Sequence, residues 1–177
     1  MQYFIGIVPP VEYKNQITSF RNRWKHHQLN EVAEPHITVK AQGGLTEDLT
    51  WLEKVKIVCS TTQRFQLTLT EPSTFGNEVV FLGVRSKEIY DFHQLLVDTI
   101  APSPELIKRY FEMDAFHPHL TLGQTHWGME ESEIEEMRLT STHVLAPFPT
   151  FTVTRIRVYQ EVEPNQYVSF EDIPLAR

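Results

Sequence analysis

Short aromatic and β-branched runs alternate in this chain with stretches whose apolar residues recur every three or four positions. YFIGIV at 3–8 stops at Pro9-Pro10 and reads as a buried strand. Tyr13, Ile17, Phe20 and Trp24 then share one helical face, and His26 and His27 close that helix at the negative end of its dipole. PHITVKA at 35–41 alternates as a strand and is broken by Gly43-Gly44. Thr46, Glu47 and Asp48 open a second helix, in which Leu52, Val55 and Cys59 share a face, so Cys59 is expected in the core. FQLTLT at 65–70 and EVVFLGV at 78–84 read as strands around the turn-rich EPSTFGN. Ile89, Phe92, Leu96 and Ile100 make a third amphipathic helix. Beyond the proline-containing APSPEL come FHPHLTLGQ at 116–124 and an acidic helix at 130–138. FTVTRIRVYQ and YVSFEDI close the chain as a hairpin turning at Glu163, Pro164 and Asn165.

The same order of elements occurs twice. YFIGIV at 3–8 resembles VFLGVR at 80–85, PHITV at 35–39 resembles PHLTL at 118–122, and FQLTLT at 65–70 resembles FTVTRI at 151–156. The spacing is too long for a solenoid repeat. Two copies of a strand–helix–strand–helix–strand unit, roughly 1–77 and 78–177, account for it. The expected fold is α+β: one bilobal domain over 1–177, two pseudo-twofold lobes, each an antiparallel sheet with helices outside, and a cleft between them. Strands could be exchanged between the lobes.

Composition narrows the setting. A chain of 177 residues with 41% hydrophobic and 22% charged side chains is a globular domain large enough to stabilise a core without staples. A single cysteine forbids an internal disulfide and a thiolate zinc cluster. No apolar run reaches the roughly 20 residues of a membrane span, and the N-terminus carries no basic leader, so a cytoplasmic monomer away from membranes is expected. Net charge is −7 overall, with the excess concentrated in EESEIEEMR at 130–138, a solvated helix face. A grip on long nucleic acid would need a basic stripe. A short nucleotide would need only a locally positive cleft.

The chemistry sits in the repeated strand. With eight His and 17 Thr, about 0.8 His-x-Thr triplets are expected by chance, whereas a flanking Pro and two apolar neighbours cut that to roughly 0.01. Two in register in a repeat are therefore a signal. Strand alternation turns His36 and Thr38 to one face and Ile37 and Val39 to the other, and separates His119 and Thr121 from Leu120 and Leu122 in the same way. Two imidazoles across one cleft can act as acid and base at neutral pH, with the hydroxyls donating to phosphoryl oxygens.

The paired motifs in PHITV and PHLTL resemble the signature of the 2H phosphoesterase superfamily, which includes 2′-5′ RNA ligase and cyclic nucleotide phosphodiesterase enzymes. The likeness runs over essentially the whole chain, through the two-lobed repeat to the closing RIRVYQ. It implies a bilobal α+β fold and metal-independent chemistry on a 2′,3′-cyclic phosphate of a nucleotide or short RNA end, or on a 2′-5′ linkage. It also implies His36 as proton donor, His119 as proton acceptor, and Thr38 and Thr121 as phosphate-binding hydroxyls, with no cofactor.

Other residues and readings compete. Lys40 continues the His36–Thr38 face, Arg155 and Arg157 could reach a phosphate, and Phe75 could stack on a base. His117, His119 and His126 form the alternative of a metal site, which the absence of acidic ligands at matching spacing opposes. A binding module that holds a nucleotide or phosphate in the same cleft without turning it over is the alternative function.

Overall fold

In the computed structural model, which describes residues 1–177, the alternating runs become eight strands. They are β1 (Tyr3–Ile7), β2 (Ile37–Lys40), β3 (Phe65–Phe75), β4 (Val79–Arg85), β5 (His119–Gln124), β6 (Thr150–Val153), β7 (Arg155–Glu163) and β8 (Gln166–Pro174). The helices are α1 (Val11–Arg21), α2 (Leu29–Val32), α3 (Thr50–Thr61), α4 (Glu88–Ile100), α5 (Pro104–Arg109) and α6 (Glu131–Val144). The fold is α+β, with all eight strands in one antiparallel sheet ordered β6-β3-β4-β5-β2-β1-β7-β8. Two separate sheets were expected; instead β2 and β5 meet at Ile37 opposite Leu120 and make the two four-stranded halves continuous.

The halves of the sheet are not the halves of the sequence. Outward from the centre run β2, β1, β7 and β8 on one side and β5, β4, β3 and β6 on the other, so each half borrows strands from the other end of the chain. Hydrogen-bond register also corrects the repeat. Gly6 lies opposite Thr38 and Phe81 opposite Thr121, which makes Phe81 the counterpart of Gly6, two residues before the Gly83 that sequence likeness selects. On the same register Tyr159, opposite Phe4, matches Phe75, opposite Val79. A slip of two keeps every side chain on its face, so the apolar pattern cannot detect it. FTVTRI is not one strand: β6 pairs with β3, β7 pairs with β1, and Thr154 separates them.

Element ends moved where polar contacts took over from periodicity. Helix α1 stops at Arg21, before His26 and His27, and a turn carries the chain on. Helix α3 starts at Thr50, whose backbone N–H donates to the Asp48 carboxylate. APSPEL is partly helical, because Ser103 caps α5 and Pro104 occupies its first turn, where a missing N–H costs nothing. Strand β3 continues to Phe75 through a bulge at Leu69–Pro72, a position that tolerates proline in a sheet.

One sheet face holds Ile5, Ile7, Ile37, Val39, Leu82, Leu120, Leu122 and Val158, all buried in a core cluster with residues of α1, α3, α4 and α6. Burying each such side chain contributes about 1.5–3 kcal/mol, enough to fix both central strands in register. The opposite face is thereby left to His36, Thr38, His119 and Thr121.

Candidate active site

Register brings the two motifs together. With Ile37 opposite Leu120, His36 falls beside Thr121 and Thr38 beside His119, all on the face away from the core. The two imidazoles are diagonal neighbours, a separation of roughly 7–8 Å in a regular sheet, which a phosphate and its entering and leaving oxygens can span. All four side chains are half-buried.

Each imidazole is held in the same way. His36 Nδ1 donates to the Glu34 carbonyl at 2.7 Å, and His119 Nδ1 donates to the His117 carbonyl at 2.6 Å. A carbonyl only accepts, so the neutral ring carries its proton on Nδ1 and leaves Nε2 free as a base, or as an acid once protonated. Desolvation of the charged ring pushes the His36 pKa down to about 4. The Glu34 carbonyl and carboxylate oppose that shift, and Arg21 and His119 add to it. Desolvation also lowers His119, with His117 adding to it and the His117 carbonyl opposing it. Both shifts favour the neutral ring.

Aromatic rings frame both histidines. His36 packs on Phe4 and Tyr159 at centroid distances of 4.8 and 5.3 Å. His119 packs on Phe75 and Phe81 at 5.1 and 5.2 Å. Gly6 makes room for the first arrangement: a Cβ there would come within 3.2 Å of Tyr159 and 3.4 Å of the His36 Cβ. Beyond His119 a cleft of about 490 Å³ opens among Thr38, Phe75, Val79, Tyr110, Phe111 and Phe116. Phe75 lies between this cleft and Phe81, which fits either packing or stacking on a ligand.

The remaining candidates lie elsewhere. Lys40 does not face the motif residues: it is fully buried, and its Nζ donates to the Ala41 and Gly43 carbonyls and to Glu112 Oε1 at 2.7–2.8 Å. The cause is a bulge, since Gly6 faces Thr38 while Ile5 faces Lys40, and the extra residue breaks the alternation that parity assumed. Arg157 forks onto Asp172 and reaches Glu34 Oε1 at 2.8 Å, so its donors are largely taken. Arg155 is exposed beside Asp172. His117 is exposed, with its ring 6.3 Å from that of His119, and His126 stacks edge-on against Trp127. No three His, Cys, Asp or Glu side chains gather at metal-binding distance.

Two side chains support the site in ways that sequence reading does not assign. The Glu34 carboxylate accepts from Lys14, Arg157 and the Tyr159 hydroxyl, all at 2.8 Å, and so ties α1 and β7 to the residue that orients His36. Arg21 is 2% exposed and donates through Nη2 to the Thr121 carbonyl at 2.6 Å. A signal for Arg21 was present, because it follows Ile17 by one helical turn on the apolar stripe of α1. Glu34 shares the strand parity of His36, but the partners that clamp its carboxylate lie far away in sequence.

A family model described as the 2′-5′ RNA ligase superfamily matches residues 9–165. Among solved structures, TT0787 of Thermus thermophilus superposes with a TM-score of 0.68 at 16% identity, covering 99% of this chain and 98% of that one. Escherichia coli LigT in complex with 3′-AMP gives 0.63 at 19% identity, with the same coverage. A protein described as a phosphoesterase gives 0.60 at 19%, covering 99% of both chains. LigT has also been solved with NADP⁺, ATP and phosphate. No curated protein matches the sequence. No helix is long and apolar enough to cross a membrane.

Proposed function

The chain belongs to the 2′-5′ RNA ligase superfamily, and on that premise we propose that it is a metal-independent phosphoesterase for a small phosphodiester. The substrate is a nucleotide or short RNA end carrying a 2′,3′-cyclic phosphate, or a 2′-5′ linkage. The observation that carries this reading is the pair of matched imidazoles, each with Nδ1 committed to a carbonyl and Nε2 free, flanked by two threonines. Binding of 3′-AMP by LigT, a relative in fold, supports a nucleotide as the occupant.

In hydrolysis His119 Nε2 takes a proton from water as the water oxygen attacks phosphorus. His36 Nε2 delivers a proton to the departing ribose oxygen as its bond to phosphorus breaks. Thr38 and Thr121 donate to the non-bridging oxygens, where charge accumulates. Desolvation and Arg21 lower His36, and the Glu34 carboxylate opposes them without reversing the shift, while His117 adds to the lowering of His119. The Glu34 carboxylate is the one side-chain charge of the two sets that favours the imidazolium a donor needs. Ligation is the reverse course, with the two roles exchanged.

The test is a panel of 2′,3′-cyclic, 3′,5′-cyclic and 2′-5′ substrates with products resolved by phosphorus NMR, with and without excess EDTA. The expected result is hydrolysis of a 2′,3′-cyclic or 2′-5′ substrate that chelation leaves unchanged. Because both pKa values lie below the ordinary imidazole value, the bell for kcat/KM should centre on the acidic side of neutral. A cyclic nucleotide that binds tightly and is recovered intact would make the protein a binding module. Activity lost to EDTA and restored by zinc would overturn the two-histidine mechanism and return His117, His119 and His126 to consideration as ligands.

A further inference from the structure

Arg21 is buried as a cation without an anion. Its contacts are neutral: Nη1 donates to Asn30 Oδ1 and the Ala33 carbonyl at 3.2 Å, Nη2 donates to the Thr121 carbonyl at 2.6 Å, and Nε has no partner. A buried charge is ordinarily paired, because removal from water is costly and attraction to a counter-ion offsets it. Here burial depresses the guanidinium to about 9, still above the working pH, so it stays charged. A neutral side chain could satisfy the same carbonyls. The uncompensated charge therefore requires a separate explanation.

Its position supplies one. Arg21 ends α1, which packs on β5, and its guanidinium bonds both the Ala33 carbonyl, in the segment leading into β2, and the Thr121 carbonyl of β5. Thr121 is the residue beside His36 in register, at the end of the seam where the two halves of the sheet meet. Arg21 thus joins the two sides of that seam from within the core, close enough to His36 for its charge to act on the ring.

We propose that Arg21 is a positioning residue that sets the spacing of the two motifs and takes the substrate phosphate as its missing counter-ion. This rests on the phosphoesterase reading for its substrate, though not for its electrostatics. Charged and titratable groups face His36 from every side: Arg21 from α1, His119 from β5, Tyr159 from β7 and Glu34 beside it, with Glu34 itself neutralised by Lys14 and Arg157. His27 lies next to Arg21 and is held neutral, lowered to about 4 by burial and by that charge. Arg21 opposes a proton on His36. An arriving phosphate cancels that opposition, so the donor acquires its proton when substrate is present to receive it.

The experiment follows the His36 ring by NMR through a pH titration, with and without inorganic phosphate, in wild type, Arg21→Met and Arg21→Lys. In wild type, phosphate should raise the His36 midpoint. Arg21→Met should raise it already in the free protein, shrink the phosphate-induced rise, and weaken phosphate binding about tenfold, the order expected for one charge beside a cleft. Arg21→Lys keeps the charge and loses the fork to two carbonyls, so its titration should stay near wild type while kcat falls more than KM rises. If Arg21→Met does not fold, Arg21→Lys decides alone: a wild-type kcat would overturn the spacing role. An unchanged His36 midpoint and phosphate affinity in folded Arg21→Met would reduce Arg21 to a structural bond. A wild-type cleft that neither binds phosphate nor turns over any substrate would sink the phosphoesterase reading and the counter-ion role together. A shift of free His36 in Arg21→Met would then still show that the charge acts on the ring.

Discussion

The two His-x-Thr strands are equivalent in sequence and in register but sit in different surroundings. The residue two before His36 is Glu34, whose carboxylate is clamped by Lys14, Arg157 and Tyr159; the residue two before His119 is His117, exposed and packed on Phe75 and Phe81. Two positions beyond the threonines stand Lys40, buried on Glu112, and Gly123, where a Cβ would strike Met129 and Met137. Beside Thr38 lies Gly6, and beside Thr121 lies Phe81. Both halves thus set aromatic rings against the histidine, and only the His36 half adds an ionic frame around the same pair of functional groups. A duplicated unit can keep the groups that touch substrate while the supports diverge, because only the face and spacing of the imidazoles are shared demands. Divergence of the supports also puts different charged neighbours beside two identical side chains, Arg21 and Glu34 at His36 and His117 at His119.

The largest effect should come from breaking the pair. His36→Ala and His119→Ala should each lower cyclic-phosphate hydrolysis about 10²–10⁴-fold. The double variant should lose little more than the worse single one, because a donor and an acceptor serving one step act as a unit. Multiplying losses would show that the two histidines work independently, and full activity of either single variant would end the mechanism.

Next come the supports that only one half possesses. Lys40→Met leaves Glu112 buried without its partner, and removing one member of a buried pair costs about 3–5 kcal/mol. A drop in Tm is expected with little change in kcat for the folded fraction. Combined with Glu112→Leu, the loss should be largely recovered. A kcat that collapses while Tm holds would return Lys40 to the phosphate site.

Thr38→Val and Thr121→Val should cost roughly 10- to 100-fold each in kcat/KM, since a hydrogen bond to a charged group contributes about 1.5–3 kcal/mol. Similar losses would mean that the two halves grip the phosphate evenly, and a wide gap would assign most of the grip to one side.

The smallest effect sharpens the comparison most. Glu34→Gln removes a negative charge that favours the His36 imidazolium and frees Lys14 and Arg157, so both changes lower the His36 pKa further. The His36 limb of the rate profile should move to lower pH, by less than about one pH unit for a charge already neutralised by neighbours. The His119 limb should stay in place. Movement of that limb instead would mean that the carboxylate serves the wrong histidine for the roles assigned.

By itself the sequence determined the elements, the repeat, the face on which each histidine lies and the family resemblance. These rest on alternation and local periodicity, which neighbouring residues carry in the chain itself. It erred where a single residue altered that local count. The bulge beside Lys40 reversed its direction, and a slip of two in the repeat passed unseen because it preserves every face. Only the tertiary structure decided that the two motifs share one continuous sheet at Ile37–Leu120, that Glu34 is clamped from α1 and β7, and that Arg21 reaches across to Thr121. Those contacts join residues as far as 125 positions apart, as Tyr159 and Glu34 are. Their energies depend on burial and register that appear only when distant strands pair, so no local pattern of residues can encode them.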